Sequence, residues 1–458
     1  MFKADKTIKP YETRAAGFLG LSRLPVVEDG QLKVCKNMVF DQFPVMSVRN
    51  GRTLAGTVTG TPQAIIAAGD HFAVVAGNTL YYDGEAVSGL SLTAGPKSMV
   101  EFWGKIFIFP DAKYYDMTSG EFGPIGTGTY PENGSCPDMD YVCVHNNRVW
   151  GCKGNHIYAS YQGNAMGTFT VTVNGEQEDR YGWTYFVNSN GDPSDVGAWA
   201  VDCAIDGDLT GIFSWDNRVI CLGNRSHMEV YGDYPSNFSL RGISKYGTVN
   251  HASMQEVNSR LYYVSRGGVL QYSGGLEKDV ARDLNETYTD AVAGTDGTRY
   301  YLSLKDGDRY KLYVYHTLFD CWTEEDSPDI VDFAQMDGAV YGLCADGNIY
   351  RLNDPESTER VSWRFEFDDY SSTVYSNTMI QSLHLKVKSA ANAYMDVDVA
   401  VDGGDSKTKR SLTFPNHTLQ TVDVGFCRGA EHRFIVKGEG PVEIYGYQYT
   451  FVNGGDRQ

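Results

Sequence analysis

Cys143, His145, Cys152 and His156 crowd into one short stretch of the chain. Thiolate and imidazole are zinc's preferred ligands, and in a strand the i, i+2 spacing of Cys143 and His145 puts both on one face. The intervening Asn146-Asn147 has the residue types of a tight hairpin turn, so the four read first as parts of one hairpin. They stand as zinc candidates, with no resident metal or cofactor expected. Asp396, Asp398, Asp402 and Asp405 could offer hard oxygen ligands, but their spacing matches no EF-hand loop. Alternation with Val397 and Val399 instead suggests one polar face of a strand.

Catalytic signatures are missing. There is no Gly-x-Ser-x-Gly elbow, His-Glu-x-x-His helix or phosphate loop, and each would announce a specific chemistry. Ser214-Trp215-Asp216-Asn217 does not reproduce the Ser-x-Asp-x-Gly-x-Thr-Trp box of sialidases. Carboxylates and tyrosines suited to glycoside hydrolysis are plentiful, but none is singled out. No catalytic residue is assigned, and the chain is expected not to be an enzyme.

The elements that must position any site repeat. Between Ala64 and Asn353 an apolar run, a tight polar turn such as Gly69-Asp70 or Met336-Asp337-Gly338, a second run and a tyrosine-ended strand recur. Such units predict short antiparallel strands joined by hairpins. Their spacing of roughly 35 to 45 residues is that of four-stranded propeller blades. One interval is nearly double and holds an insertion near 176–199 with Tyr181, Trp183, Tyr185 and Phe186. These four aromatics are the candidate inter-subunit or gating loop. The expected fold is all-β: a β-propeller of about six to seven blades over 56–360, a C-terminal β-sandwich over 361–458, and an N-terminal arm over 1–55.

Composition narrows the function classes. The formal charge is −19, which excludes a protein that coats nucleic acid through a basic surface. An acidic channel wall would repel phosphate and let DNA pass without sticking. Residues 1–52 run the other way, with nine Lys or Arg against five acids. Lys3, Lys6, Lys9, Arg14 and Arg23 are the candidate docking cations for an acidic neighbour. Nine cysteines without a CxxC pair argue against a disulfide framework. No segment has the roughly 20 apolar residues of a membrane-spanning helix, and Ala15 to Leu21 lacks the pattern of a signal peptide. Synthesis in a cytoplasm is the expectation.

Several stretches resemble the tail hub, or packaged-DNA stabilisation, proteins of short-tailed bacteriophages and the related propeller nozzles. They are Asn37 to Arg52, with its early Asn, aromatic, Asp, Pro and Arg-x-Gly residues; His156 to Ser160 followed by Gly163 to Phe169; Phe213 to Phe238; and Ser265 to Tyr272. The resemblance implies a structural virion protein, made in the host bacterial cytoplasm. It implies a homo-oligomeric ring, usually sixfold, below the portal and adaptor, contacting other tail proteins or tailspikes and passing double-stranded DNA. A carbohydrate- or receptor-binding propeller of a tail tip is the alternative, and a propeller glycosidase a third.

Overall fold

The computed structural model describes residues 12–126, 135–183, 196–368, 378–414, 419–423 and 427–453. Among them the repeats fold as seven four-stranded antiparallel blades. The innermost strands are Pro62–Ala68, Ser98–Phe102, Tyr141–His145, Leu209–Trp215, Gln255–Val257, Ala291–Thr295 and Ile330–Met336. Each pairs with the next strand through a tight turn that places Gly69, Trp103, Asn146, Asp216, Asn258, Gly297 or Asp337 at positive φ. Gly, Asn and Asp tolerate that conformation, which matches the twist of the flanking strands. Trp103 is the bulky exception.

Apolar side chains from facing blades interlock as separate clusters, one for nearly every gap. Ala68, Val75 and Leu80 of the first blade pack against Ile106 and Ile108 of the second. Trp150 and Cys152 of the third meet Ile212 and Cys221 of the fourth, and Val58, Ile65 and Val74 meet Leu343 and Ile349 across the closing seam. The gap between the fifth and sixth blades is different. There Tyr262, Tyr300, Tyr315 and Trp322 belong to a core that runs on into the sandwich through Phe18, Cys35, Trp363 and Phe365.

The N-terminal segment accounts for that continuity and corrects the expectation of an arm. Gly51–Thr57 is the outermost strand of the seventh blade, paired with Asn348–Asp354, so the N-terminal part of the chain closes the ring. Val34–Lys36 lies between Cys321–Glu325, the outer strand of the sixth blade, and Ser362–Glu366 of the sandwich, producing one nine-stranded sheet. Met38–Gln42 and Val45–Val48 extend the opposite sandwich sheet beside Val442–Asn453, and Glu12–Ala16 also pairs with that long strand. The sandwich expected over 361–458 therefore includes strands from the other end of the chain.

A buried polar cluster holds the strap in register. Arg49, whose side chain is 0% exposed, donates from Nη2 to Asp326 Oδ1 at 2.8 Å and from Nε to Asn37 Oδ1 at 3.1 Å. Arg52 reaches Glu325 Oε2 at 3.0 Å, and Asn37 donates to Ser362 O at 2.7 Å. Burial would raise the Asp326 carboxyl, but Arg52 and Arg49 override it and hold it down at about 2. Gly51 must be glycine because a Cβ would collide with Ser357 and Glu359.

The expected effect of Arg49→Ala follows from stranding Glu325, which is 2% exposed, without one of its cations. Loss of one member of a buried ion pair costs about 3–5 kcal/mol, measurable by denaturant unfolding of the full chain. Because the strap belongs to both units, calorimetry should give one transition for the full chain, and residues 361–458 expressed alone should show no cooperative melting. An independent melt of that segment would contradict the shared-sheet account.

Candidate functional site

The seven inner strands surround a central channel. Its inner part is a cavity of about 390 Å³ lined by Ile66, Met99, Val144, Phe213, Met254 and Phe333, among others. It widens at the end where the inner strands begin into a mouth of about 900 Å³ that carries Gln63, Lys97, Asp140, Tyr141, Asp290 and Tyr310. At about 30 Å³ per water, the inner cavity holds on the order of a dozen waters.

Polar groups around the channel tie neighbouring blades together. Ser98 Oγ accepts from Val142 N at 3.0 Å, His145 Nδ1 meets Ser214 Oγ at 2.9 Å, and Gln255 donates to Ala293 O at 2.8 Å. His251 Nδ1 accepts from Ile212 N at 3.4 Å, which leaves the proton of the neutral ring on Nε2, facing Ser98 Oγ. Burial pushes His251 down to about 4, so it is uncharged at neutral pH. Lys97 and Asp111 form a buried pair at 2.8 Å with side chains 1% and 2% exposed.

Asp332 is the unusual group. It lines both cavity and mouth, its Oδ2 accepting from Ile65 N at 2.9 Å and Oδ1 from Phe333 N at 2.9 Å. Desolvation raises its carboxyl to about 7 against the opposing pull of those two amides. A carboxyl that holds its proton near neutrality, at a mouth that also presents Asp140 and Asp290, is chemically able to donate a proton. The signal in the sequence was a lone carboxylate inside the apolar run Ile330-Val331-Asp332-Phe333-Ala334, which the repeat pattern absorbed.

A second titratable cluster is sealed between the fourth and fifth blades. His227, with a fully buried side chain, lies 3.0 Å from Glu277 and 3.5 Å from Glu229, which also accepts from Tyr272 at 2.7 Å and Arg218 at 3.2 Å. Burial opposes ionisation of Glu229, yet His227, the tyrosines and Arg218 hold it down at about 2. The two carboxylates lie against different nitrogens of the ring, Glu277 hydrogen-bonded to Nδ1 and Glu229 near Nε2, which makes this an inter-blade lock rather than one coordination centre.

The zinc candidates do not converge. Cys143 and Cys152 face the apolar core between the third and fourth blades, where burial pushes both thiols up. His145 turns to Ser214, while half-exposed His156 projects from the other face of its strand toward Asp202 at 2.5 Å. Facing of alternate residues separates His156 from Ile157 and Cys152. Among the described residues no group of three or more His, Cys, Asp or Glu side chains is disposed to hold a metal. In the sandwich, Asp398 is buried rather than on an exposed polar face, and accepts from Lys437 at 2.8 Å.

The docking and gating candidates also divide. Arg23 is partly buried and already paired, bridging Glu286 at 3.0 Å and Glu324 at 2.5 Å with its guanidinium over the Tyr313 ring, rather than held out for a partner. Arg14 falls in the strand paired to Val442–Asn453, and Lys3, Lys6 and Lys9 lie outside the described residues. A hairpin, Thr168–Val173 with Glu176–Tyr181, straddles the start of the insertion and forms a two-stranded sheet of its own. Tyr181 ends that hairpin. Trp183 is 1% exposed and donates to Ala165 O at 2.8 Å, so it is a core residue and not a gate. Tyr185 and Phe186 lie outside the described residues.

No protein-family model matches this chain, and no curated protein matches it. Solved structures similar to it include BamB from Moraxella catarrhalis, at 12% identity over 69% of this chain and 90% of that one with a TM-score of 0.40. PorZ, a surface component of the type-IX secretion system of Porphyromonas gingivalis, is 14% identical over 87% of this chain and 56% of that one, TM-score 0.27. A glycoside hydrolase family 43 arabinoxylan arabinofuranohydrolase from Bacillus subtilis is 11% identical over 88% and 92%, TM-score 0.22. These likenesses concern the fold alone.

The raised Asp332 carboxyl gives the channel a signature in stability. The native state keeps a proton that the unfolded chain releases near pH 4. This group's contribution is complete below about pH 4 and is lost as pH rises through about 7. Denaturant unfolding at pH 5 and pH 8 should show that decline in the wild type, with a smaller difference between the two in Asp332→Asn.

Proposed function

We propose that the chain is a structural subunit of a bacteriophage tail, of the hub or nozzle kind, which joins copies of itself into a ring below the portal and adaptor and retains and conducts packaged DNA. The observation that carries this reading is the part played by the residues that carry the resemblance. Asn37, Asp41, Arg49, Gly51 and Arg52 are the keystone of the interlocked propeller and sandwich: Asp41 pairs with Arg299, and the others form the buried strap cluster. A motif whose Asn37, Arg49 and Arg52 all have demanding tertiary roles supports a shared architecture more strongly than a chance run of letters.

The role is mechanical. The central cavity of one propeller is far too small for a duplex whose major groove alone is about 12 Å wide, so the lumen of this proposal lies between copies, walled by the outer surfaces of the propellers. An acidic wall there would keep phosphate moving. Heterologous contacts related by rotation close such rings, and the hairpin Thr168–Val173 with Glu176–Tyr181 is the element offered to a neighbour.

Electron-microscopic class averages of the purified chain, alone and with its portal and adaptor, test the ring. The expected result is a hollow ring wide enough for duplex DNA when the connector is present; isolated propellers under both conditions would remove the conduit reading. Deletion of Met1 to Tyr11 should leave the thermal transition of the described fold in place and abolish incorporation into particles. Undiminished incorporation would remove the docking role of Lys3, Lys6 and Lys9.

Asp332 favours a second reading, a glycosidase at the channel mouth with Asp332 as general acid and Asp140 or Asp290 as the partner carboxylate. Turnover of arylglycoside reporters that disappears in Asp332→Asn would select it.

A further inference from the structure

At the end of the propeller opposite the channel mouth, the seven inner hairpin turns act as internal controls for one another. At the first positive-φ position of the turn six place Gly, Asn or Asp, the fifth following Asn258 with Ser259 at φ 59°; the second blade places Trp103 there, at φ 51°. A bulky residue in that region is strained. The ring gains little packing in return, since Trp103 is 70% exposed. Its indole is nevertheless held in place, donating from Nε1 to Asn147 Oδ1 of the third blade at 2.6 Å. The neighbouring Asn146 donates to Asp233 O at 3.3 Å, and beside it Tyr234 is 44% exposed. Two exposed aromatic residues are thus linked by two side-chain amides and the main-chain carbonyl of Asp233 across three blades.

We propose that Trp103, Asn146, Asn147, Asp233 and Tyr234 form a binding site for a neutral hexose oligosaccharide. A pyranose ring offers an apolar C–H face that stacks on an indole and equatorial hydroxyls that seek amide and carbonyl partners, and the site alternates the same two kinds of surface. A protein hot spot is built differently, with its aromatic anchor at the centre of a desolvated apolar patch and polar groups at the rim. Because the indole N–H is already satisfied within the chain, the ring presents a fixed face, so little freedom is lost on binding. The Trp103 strain is then explained as the cost of holding an aromatic plane where other blades place a turn residue. This site is distinct from the channel mouth and does not depend on the ring proposal.

The test uses the full chain on a printed array of α- and β-linked neutral hexose oligosaccharides and bacterial surface polysaccharides, followed by titration of the strongest binder with indole fluorescence and iodide quenching. The expected result is saturable binding that protects an exposed indole. Trp103→Asn should weaken it tenfold or more while leaving the melting temperature equal or higher, because asparagine suits positive φ. Trp103→Phe should retain most of the binding, and Tyr234→Ala should weaken it by a few fold. Absence of binding across the array, or binding unchanged in both Trp103→Asn and Tyr234→Ala, overturns the proposal. So does loss of self-association or particle uptake in Trp103→Asn without any bound sugar, which would make this face a protein contact.

Discussion

The buried encounter of Arg49 and Arg52 with Glu325 and Asp326, steadied by Asn37, is the constraint on which the architecture rests. A propeller has one seam, and here an N-terminal strand closes it against the last repeat. The chain must therefore bring residue 51 back to residue 354 after seven blades have formed. Local hairpin energy does not set that register. Two guanidinium groups and the Glu325 carboxylate taken out of water do, with half-exposed Asp326 at the rim, because a strand slipped by one residue would leave charges buried without partners.

The same strap makes the propeller and sandwich one body. Its short strand Val34–Lys36 is hydrogen-bonded on one side to the sixth blade and on the other to the sandwich, so no seam of solvent divides the two sheets there. The core follows the backbone: Phe18, Tyr300, Trp322, Trp363 and Phe365 belong to one apolar cluster. Such continuity resists bending, since moving the units apart would require breaking ladder hydrogen bonds and exposing aromatic area together. Elsewhere the blades are joined by side-chain bonds near the axis, and the cavity left between them is small.

Much of this fold was legible because its information is local. Tyrosine-ended strands of period two, broken by Asn-Asn, Asp-Asn or Asp-Gly turns, revealed the blades at their true spacing. The strap was not legible. The strands that tie it to the rest of the chain are only three to seven residues long and their partners there lie some 290 to 400 residues away, so basic charge without long apolar runs read as an extended arm. Arg23 shows the error in one residue, a cation whose carboxylates come from the sixth blade and its approach.

Side-chain neighbours that depend on a third strand were equally hidden. The spacing of Cys143 and His145 placed both on one face, which is true, but the chemistry of that face came from the fourth blade: an apolar core for the thiol and Ser214 for the imidazole. Trp183 looked like a loop aromatic until Ala165 and its surroundings enclosed it, while Trp103, which the repeat pattern did not single out, stands in solvent. Asp332 acquired its raised carboxyl only because seven blades surround it. By itself the sequence determined the repeating hairpins, the all-β class, the turn chemistry and the acidic body, because propensity, alternation and charge act over neighbouring residues. Closure by the N-terminal strand, the shared sheet and the environment of every titratable group were decided by the tertiary structure, because burial and pairing between distant segments exist only once the ring has closed.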